Sequence, residues 1–160
     1  MTPPEIVRRG LELRSSPVLK DCALAGVRVA LAWIFIYHGA GTLFGAFHEA
    51  GLHAMAVFFA AHGLRPGMVF AVLNGVTEFF GGIAVGVGLL SRLAAVGLFG
   101  DMIIAMVTVT FKNGIVSGAA GSGYELNLAL AALALVIVLL GAGRASAGFG
   151  AQRSDSVVAF

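Results

Sequence analysis

The sequence predicts an all-α integral membrane protein, a four-helix bundle with an interfacial amphipathic helix between the first and second spans. Three observations carry that expectation. Of 160 residues, 59% are hydrophobic and only 11% are charged, where a water-soluble domain averages about 25% charged. The mean hydropathy is +0.96. Apolar stretches near the length of about 20 residues that a spanning helix needs recur at 22–44, 66–90, 93–111 and 124–143. They leave little chain for a soluble catalytic domain, so any chemistry must sit inside the bundle or on a partner.

Residues 1–20 hold Arg8, Arg9, Arg14 and Lys20 among three prolines. They read as a basic cytoplasmic arm, with residues 6–13 able to lie as a helix on anionic lipid. The transmembrane domain is expected over 21–144. Its first stretch is too long for a signal-peptide core and lacks a small-residue cleavage site, so it reads as a retained helix. It carries Arg28, Tyr37 and His38, then Gly41 and Gly45 at the spacing that lets helices approach closely.

Residues 47–63 are interrupted by His48, His53 and His62, and are too short and polar to span; an interfacial helix is the economical reading. Pro66 suits the opening turn of the next helix. That helix holds Asn74, Thr77 and Glu78, then Gly82 and Gly86. Ser91 and Arg92 leave room only for a tight turn, so the second and third spans form an antiparallel hairpin. The third span carries Asp101, Thr108 and Thr110 and ends at Lys112 and Asn113. A loop of small residues, 114–123, reads as mobile. Tyr124, Glu125 and Asn127 open the fourth span, and 145–160 read as a poorly ordered cytoplasmic tail.

The charge distribution sets the orientation. Arg8, Arg9, Arg14, Lys20, Arg92, Arg144 and Arg153 fall on one side, against Arg65 and Lys112 on the other, which places both termini in the cytoplasm. The pI of 9.1 therefore reflects topology rather than a nucleic-acid partner. A single cysteine, Cys22, excludes an intrachain disulfide or a CxxC motif.

Glu78 is the residue that most needs explaining, because an unpaired charge at mid-membrane costs about 2.5–3.5 kcal/mol or more. At about 1.5 Å of rise per residue, Arg28 lies about 9 Å from the cytoplasmic helix ends, Asp101 about 13 Å and Glu78 about 18 Å, with His38, Asn74 and Asn127 near 24 Å. Two layers follow. In the inner one, Arg28 and Asp101 are expected to form a structural ion pair between the first and third spans, leaving Glu78 neutral and able to relay protons. In the outer one, Tyr37, His38, Asn74, Lys112, Tyr124, Glu125 and Asn127 are expected to line a polar pocket open to the extracytoplasmic face. An amphipathic carbonyl compound such as a quinone suits such a pocket, its head taking donors and its tail facing lipid. The bland alternative is that these groups pair with one another and hold the helices in register.

No metal or haem site is expected. His48 and His53 are five residues apart, about 140° around a helix, so a straight helix cannot aim both at one ion. The glycines at 81, 82, 86 and 88 lie inside a span with no following Lys-Ser or Lys-Thr, and serve helix packing rather than phosphate binding.

Five segments, taken in order, carry a resemblance: WIFIYHGAGTLFG (33–45), EFFGGIAVGVGLLSRLAA (78–95), GDMIIAMVTV (100–109), KNG (112–114) and GYELNLAL (123–130). The chain resembles the DoxX family of small four-helix membrane proteins over about 28–144. Thr42 departs from it, standing where many members carry a lysine. The resemblance implies a component of the bacterial cytoplasmic (inner) membrane that works in redox systems. Relatives serve as a subunit of thiosulfate:quinone oxidoreductase or as the membrane partner of soluble oxidant-defence enzymes. The expectation is a quinone-interacting subunit or anchor of an oxidoreductase or oxidative-stress system, with no covalent cofactor, partnered by lipid, a redox protein and a possible second copy. A pure scaffold for soluble enzymes and a small-solute or proton transporter are the alternatives.

Overall fold

The computed structural model describes residues 17–118 and 121–146. The basic segment 1–16, with its expected surface helix, and the tail 147–160 lie outside the described residues. The architecture is helical throughout: among the described residues the only β-type pairing is an isolated bridge between Gly118 and Gly121. Helix α1 spans Pro17–Phe44, α2 spans Gly51–Ala61 and α3 spans Gly67–Val87. Helix α4 spans Ser91–Ala105 and continues through a wide π turn, Met106–Thr110, into a 3-10 turn, Phe111–Asn113. Helix α5 spans Glu125–Leu140.

Local chemistry sets these boundaries. Gly45 adopts a left-handed conformation (φ 64°) and stops α1, a role open to glycine because it has no β-carbon. Gly45 thus ends a helix instead of packing against one, so the expected Gly41/Gly45 contact motif is corrected. Pro66, expected in the first turn of α3, stands just before it as an extended N-cap residue. Gly88, also left-handed (φ 80°), ends α3. The α3–α4 turn falls at 88–90, and Ser91 and Arg92 already belong to α4.

Helix α1 packs along α3, α4 along α5, and α2 and α4 flank α3. The α1–α3 seam is the closest. A β-carbon on Gly39 would overlap the backbone of Phe79, so the two helices meet backbone to backbone. Gly82 and Gly86 face Ile36 and Ala32 across the same seam, the packing role their spacing predicts. One apolar core, with Leu31 and Phe35 from α1, Val85 from α3, Leu98 from α4 and Ala134 and Ile137 from α5, is closed to solvent. Helix α2 packs separately on α3 through Ala56, Phe59 and Ala71.

The outside is as apolar as the inside. Trp33 is 77% exposed, Leu93 70% and Leu139 65%, whereas Arg28 is 4% exposed and Glu78 7%. This arrangement reverses what water selects for and matches a lipid surround. Two helical stretches, Gly67–Val87 and Ser91–Asn113, are long and apolar enough to cross a bilayer, and α5 is apolar but shorter. Helix α1 is the longest at 28 residues, with Lys20, Asp21 and Arg28 crowded into its first half.

The loop between α4 and α5 makes hydrogen bonds at both its ends where it is described. Tyr124 N–H donates to Gly114 O (3.2 Å) and Glu125 N–H to Ile115 O (3.0 Å). Asn113 Nδ2 donates to Ser122 O (3.0 Å). Side-chain and backbone partners replace the periodicity that the sequence lacks here.

Candidate functional site

Polar side chains gather at two levels, and the sequence assigned some of them to the wrong one. At the level of the α3 C-terminus, Arg28 spends its guanidinium on backbone. Its Nε donates to Val85 O (2.8 Å) and its Nη2 to Gly86 O (2.6 Å). Its Nη1 donates to Ala142 O (3.0 Å) and Ala145 O (2.6 Å). Helix C-termini leave their last carbonyls unpaired and carry partial negative charge, and a buried cation there satisfies both. The expected ion pair between Arg28 and Asp101 is therefore corrected. Asp101 stands about 15 Å up α4 from Ser91, while Arg28 lies level with the end of α3, and carbonyls close to the guanidinium take all its bonds.

Asp101 belongs to the second level. Asn74 on α3 donates through Nδ2 to both its carboxylate oxygens, each at 3.1 Å. Glu78, one helical turn beyond Asn74, reaches the same amide and lies near enough to Asp101 for the two carboxyls to interact. These groups line a cavity of about 230 Å³ together with His38, Thr110 and Asn127. Phe35, Phe58, Phe59, Met55 and Leu130 supply apolar wall. Helices α1, α2, α3, α4 and α5 all contribute to it.

The π turn positions the far wall. A wider turn shifts the helical phase, so Thr108 points back to Ile104 O (2.7 Å) while Thr110 is buried and offers its hydroxyl to Asn127 Oδ1 (3.4 Å). Asn127 Nδ2 finds only the Met102 sulfur, at 3.7 Å, a weak acceptor. Its donors are thus poorly used by the protein and face a space a ligand could fill.

Of the sequence-predicted lining residues, the fold brings together His38, Asn74, Glu78 and Asn127. Four others do not line this cavity. Tyr37, about 100° from His38 around α1, stacks on Phe47 (4.5 Å between ring centres) in an apolar outer groove with Trp33. Tyr124 stacks on Phe111 (5.5 Å). Glu125 accepts from Ser117 N–H (3.2 Å), so its role is to hold the loop. Lys112 is exposed on the 3-10 turn. Asp101 and Thr110 are the lining residues that the sequence reading missed, the first because it was assigned to Arg28, the second because the π turn leaves no mark in hydropathy. Among the described residues no group of three or more His, Cys, Asp and Glu is arranged to hold a metal ion.

The DoxX family model matches residues 23–111, more than half of the chain. The chain belongs to the DoxX family. DoxX proteins are membrane proteins associated with redox or stress systems. Comparison with curated proteins and with solved structures finds no match. The DoxX match includes His38, Asn74, Glu78, Asp101 and Thr110 and stops before α5, so Asn127, which closes the cavity, comes from outside the matched region.

Proposed function

We propose that this DoxX protein is a multi-pass subunit or anchor of an oxidoreductase or oxidant-defence system in the bacterial inner membrane, and that its cavity holds the head of a quinone-like compound. Helices α1, α3, α4 and α5 form the spanning bundle, with α2 lying at the extracytoplasmic interface. Lys20, Arg92 and Arg144 mark the cytoplasmic end, opposite Arg65 and Lys112, which is the distribution that fixes orientation.

The observation that carries the reading is the convergence of His38, Asn74, Glu78, Asp101 and Asn127 on one small, largely apolar cavity. A quinone ring offers two carbonyl oxygens that accept hydrogen bonds. The Asn127 amide and the Thr110 hydroxyl, weakly engaged within the protein, supply donors. Reduction to the quinol takes two electrons, which a partner redox protein must provide, and two protons. Glu78, buried and without a basic partner among its contacts, is placed to hand over one of them and to be refilled through Asp101 or His38. The chain itself holds no redox centre in this scheme, and Arg28 is a structural residue.

The test is direct. Protein purified into phospholipid nanodiscs is titrated with a methyl-substituted benzoquinone, and lipid co-purified from the native membrane is assayed for quinone. Saturable one-to-one binding that weakens about tenfold, or about 1.4 kcal/mol, in Glu78→Gln and in Asn127→Leu is expected. No saturable binding and no co-purified quinone would leave an anchoring role alone.

A further inference from the structure

A second cavity, of about 250 Å³, opens between α3 and α4 and shares Phe59, Asn74, Asp101 and Ile104 with the first. The Asn74–Asp101 hydrogen-bonded pair is thus a partition with space on either side. The polar groups of the second cavity, Asn74, Thr77 and Asp101, lie at this partition or on the adjoining turn of α3, and the remaining wall is apolar, including Leu64, Phe70, Leu73 and Val96. Leu73, Val96 and Ile104 are each at least half exposed, so the cavity faces outward, toward the lipid of the proposed orientation. Gly97 and Gly100 form its α4 side. A β-carbon on Gly100 would meet nothing within 4 Å, and one on Gly97 would meet only the Thr77 methyl, at 3.3 Å. Small residues here leave a gap between two helices rather than drawing them together.

We infer that this gap is a lateral subsite for the apolar chain of the ligand whose head occupies the inner cavity, and that Asn74 and Asp101 mark the boundary between head and chain. The inference rests on the quinone-like reading of the inner site. An apolar slot open to lipid and divided from a polar chamber only by the side chains they share, Phe59, Asn74, Asp101 and Ile104, fits a compound with a polar ring and one hydrocarbon tail once the Asn74–Asp101 pair parts, and it gives that compound a way in from the bilayer without crossing water. A water-soluble ligand would have no use for it.

The experiment compares two benzoquinones, one carrying a decyl chain and one only a methyl group, with affinity expressed per mole of bilayer lipid so that partitioning does not mimic binding. Wild-type protein in nanodiscs is set against Gly100→Leu, which fills the slot from α4, and Leu73→Phe, which narrows it from α3. Each variant is checked by thermal unfolding, and either one alone is sufficient should the other not fold. Both are expected to weaken the decyl compound at least fivefold and to leave the methyl compound within twofold of wild type. Equal loss of both compounds, or no change in the decyl compound, would overturn the subsite while leaving the inner site standing. Failure of wild type to bind either compound would end both readings together.

Discussion

Arg28 and Glu78 are buried almost equally, at 4% and 7% exposure, on the two helices that pack most closely, yet their surroundings are opposite. Arg28 donates four hydrogen bonds to carbonyls of α3 and of the segment after α5. Glu78 shares the Asn74 amide with Asp101, and the charged groups that act on it are acids, Asp101 and Glu49. A buried polar group with full satisfaction adds rigidity, and two acids brought together out of water are a cost that folding alone does not explain. The Arg28 end of this molecule is therefore built to hold together, and the cavity end is where two acids stand close to one another.

The contrast makes ordered predictions. The largest effect should come from Arg28→Met. It removes all four hydrogen bonds that tie α1 to α3 and to the segment after α5, and should cost about 3–5 kcal/mol in unfolding free energy, or prevent accumulation of folded protein. Retention of near wild-type stability in a detergent melt would break the comparison at its stronger end. Gly88→Ala is next. A β-carbon at that left-handed position would lie 2.7 Å from Arg28 Nη2 and crowd Ser146, so a loss of about 1–2 kcal/mol is expected in the same assay.

At the cavity end the sign differs. Asp101→Asn replaces a half-buried carboxyl group with an amide of the same shape, and is expected to leave the melting temperature unchanged or raised while weakening quinone binding about tenfold. A substantial fall in stability with binding intact would show that the acids hold the fold together. Smallest of all, Lys112→Gln and Tyr37→Phe should change stability by no more than about 0.5 kcal/mol. Neither should alter affinity, since both residues stand apart from the cavity. A loss of binding in either would redraw its outline.

The same contrast explains what could be read from the sequence. The four apolar stretches, the helix start after Pro66 and the burial of Arg28 and Glu78 all follow from hydropathy and cost. His38, Asn74, Glu78 and Asn127 meet because residues at similar depth in neighbouring helices have few other places to go. Arg28's partners were out of reach for a different reason: they are backbone carbonyls 57 to 117 residues away, and a carbonyl has no signature in a sequence. Asp101 was misplaced because pairing by opposite charge ignores such acceptors. Tyr37 was misplaced because depth along a helix says nothing of rotation around it. Thr110 was missed because no residue pattern announces the π turn that buries it against the cavity.

The reach of Arg28 also bears on biogenesis. During synthesis this guanidinium leaves the ribosome 57 residues ahead of Val85 and 117 ahead of Ala145. At about 5–20 residues per second, that is an interval of roughly 6–23 s before the last acceptor exists. Through most of it the guanidinium has at hand no more than the two α3 carbonyls, Val85 O and Gly86 O. Synthesis of the segment after α5 supplies the other two acceptors and so ties α1 to it, and a product cut short before Ala142 would hold Arg28 by α3 alone.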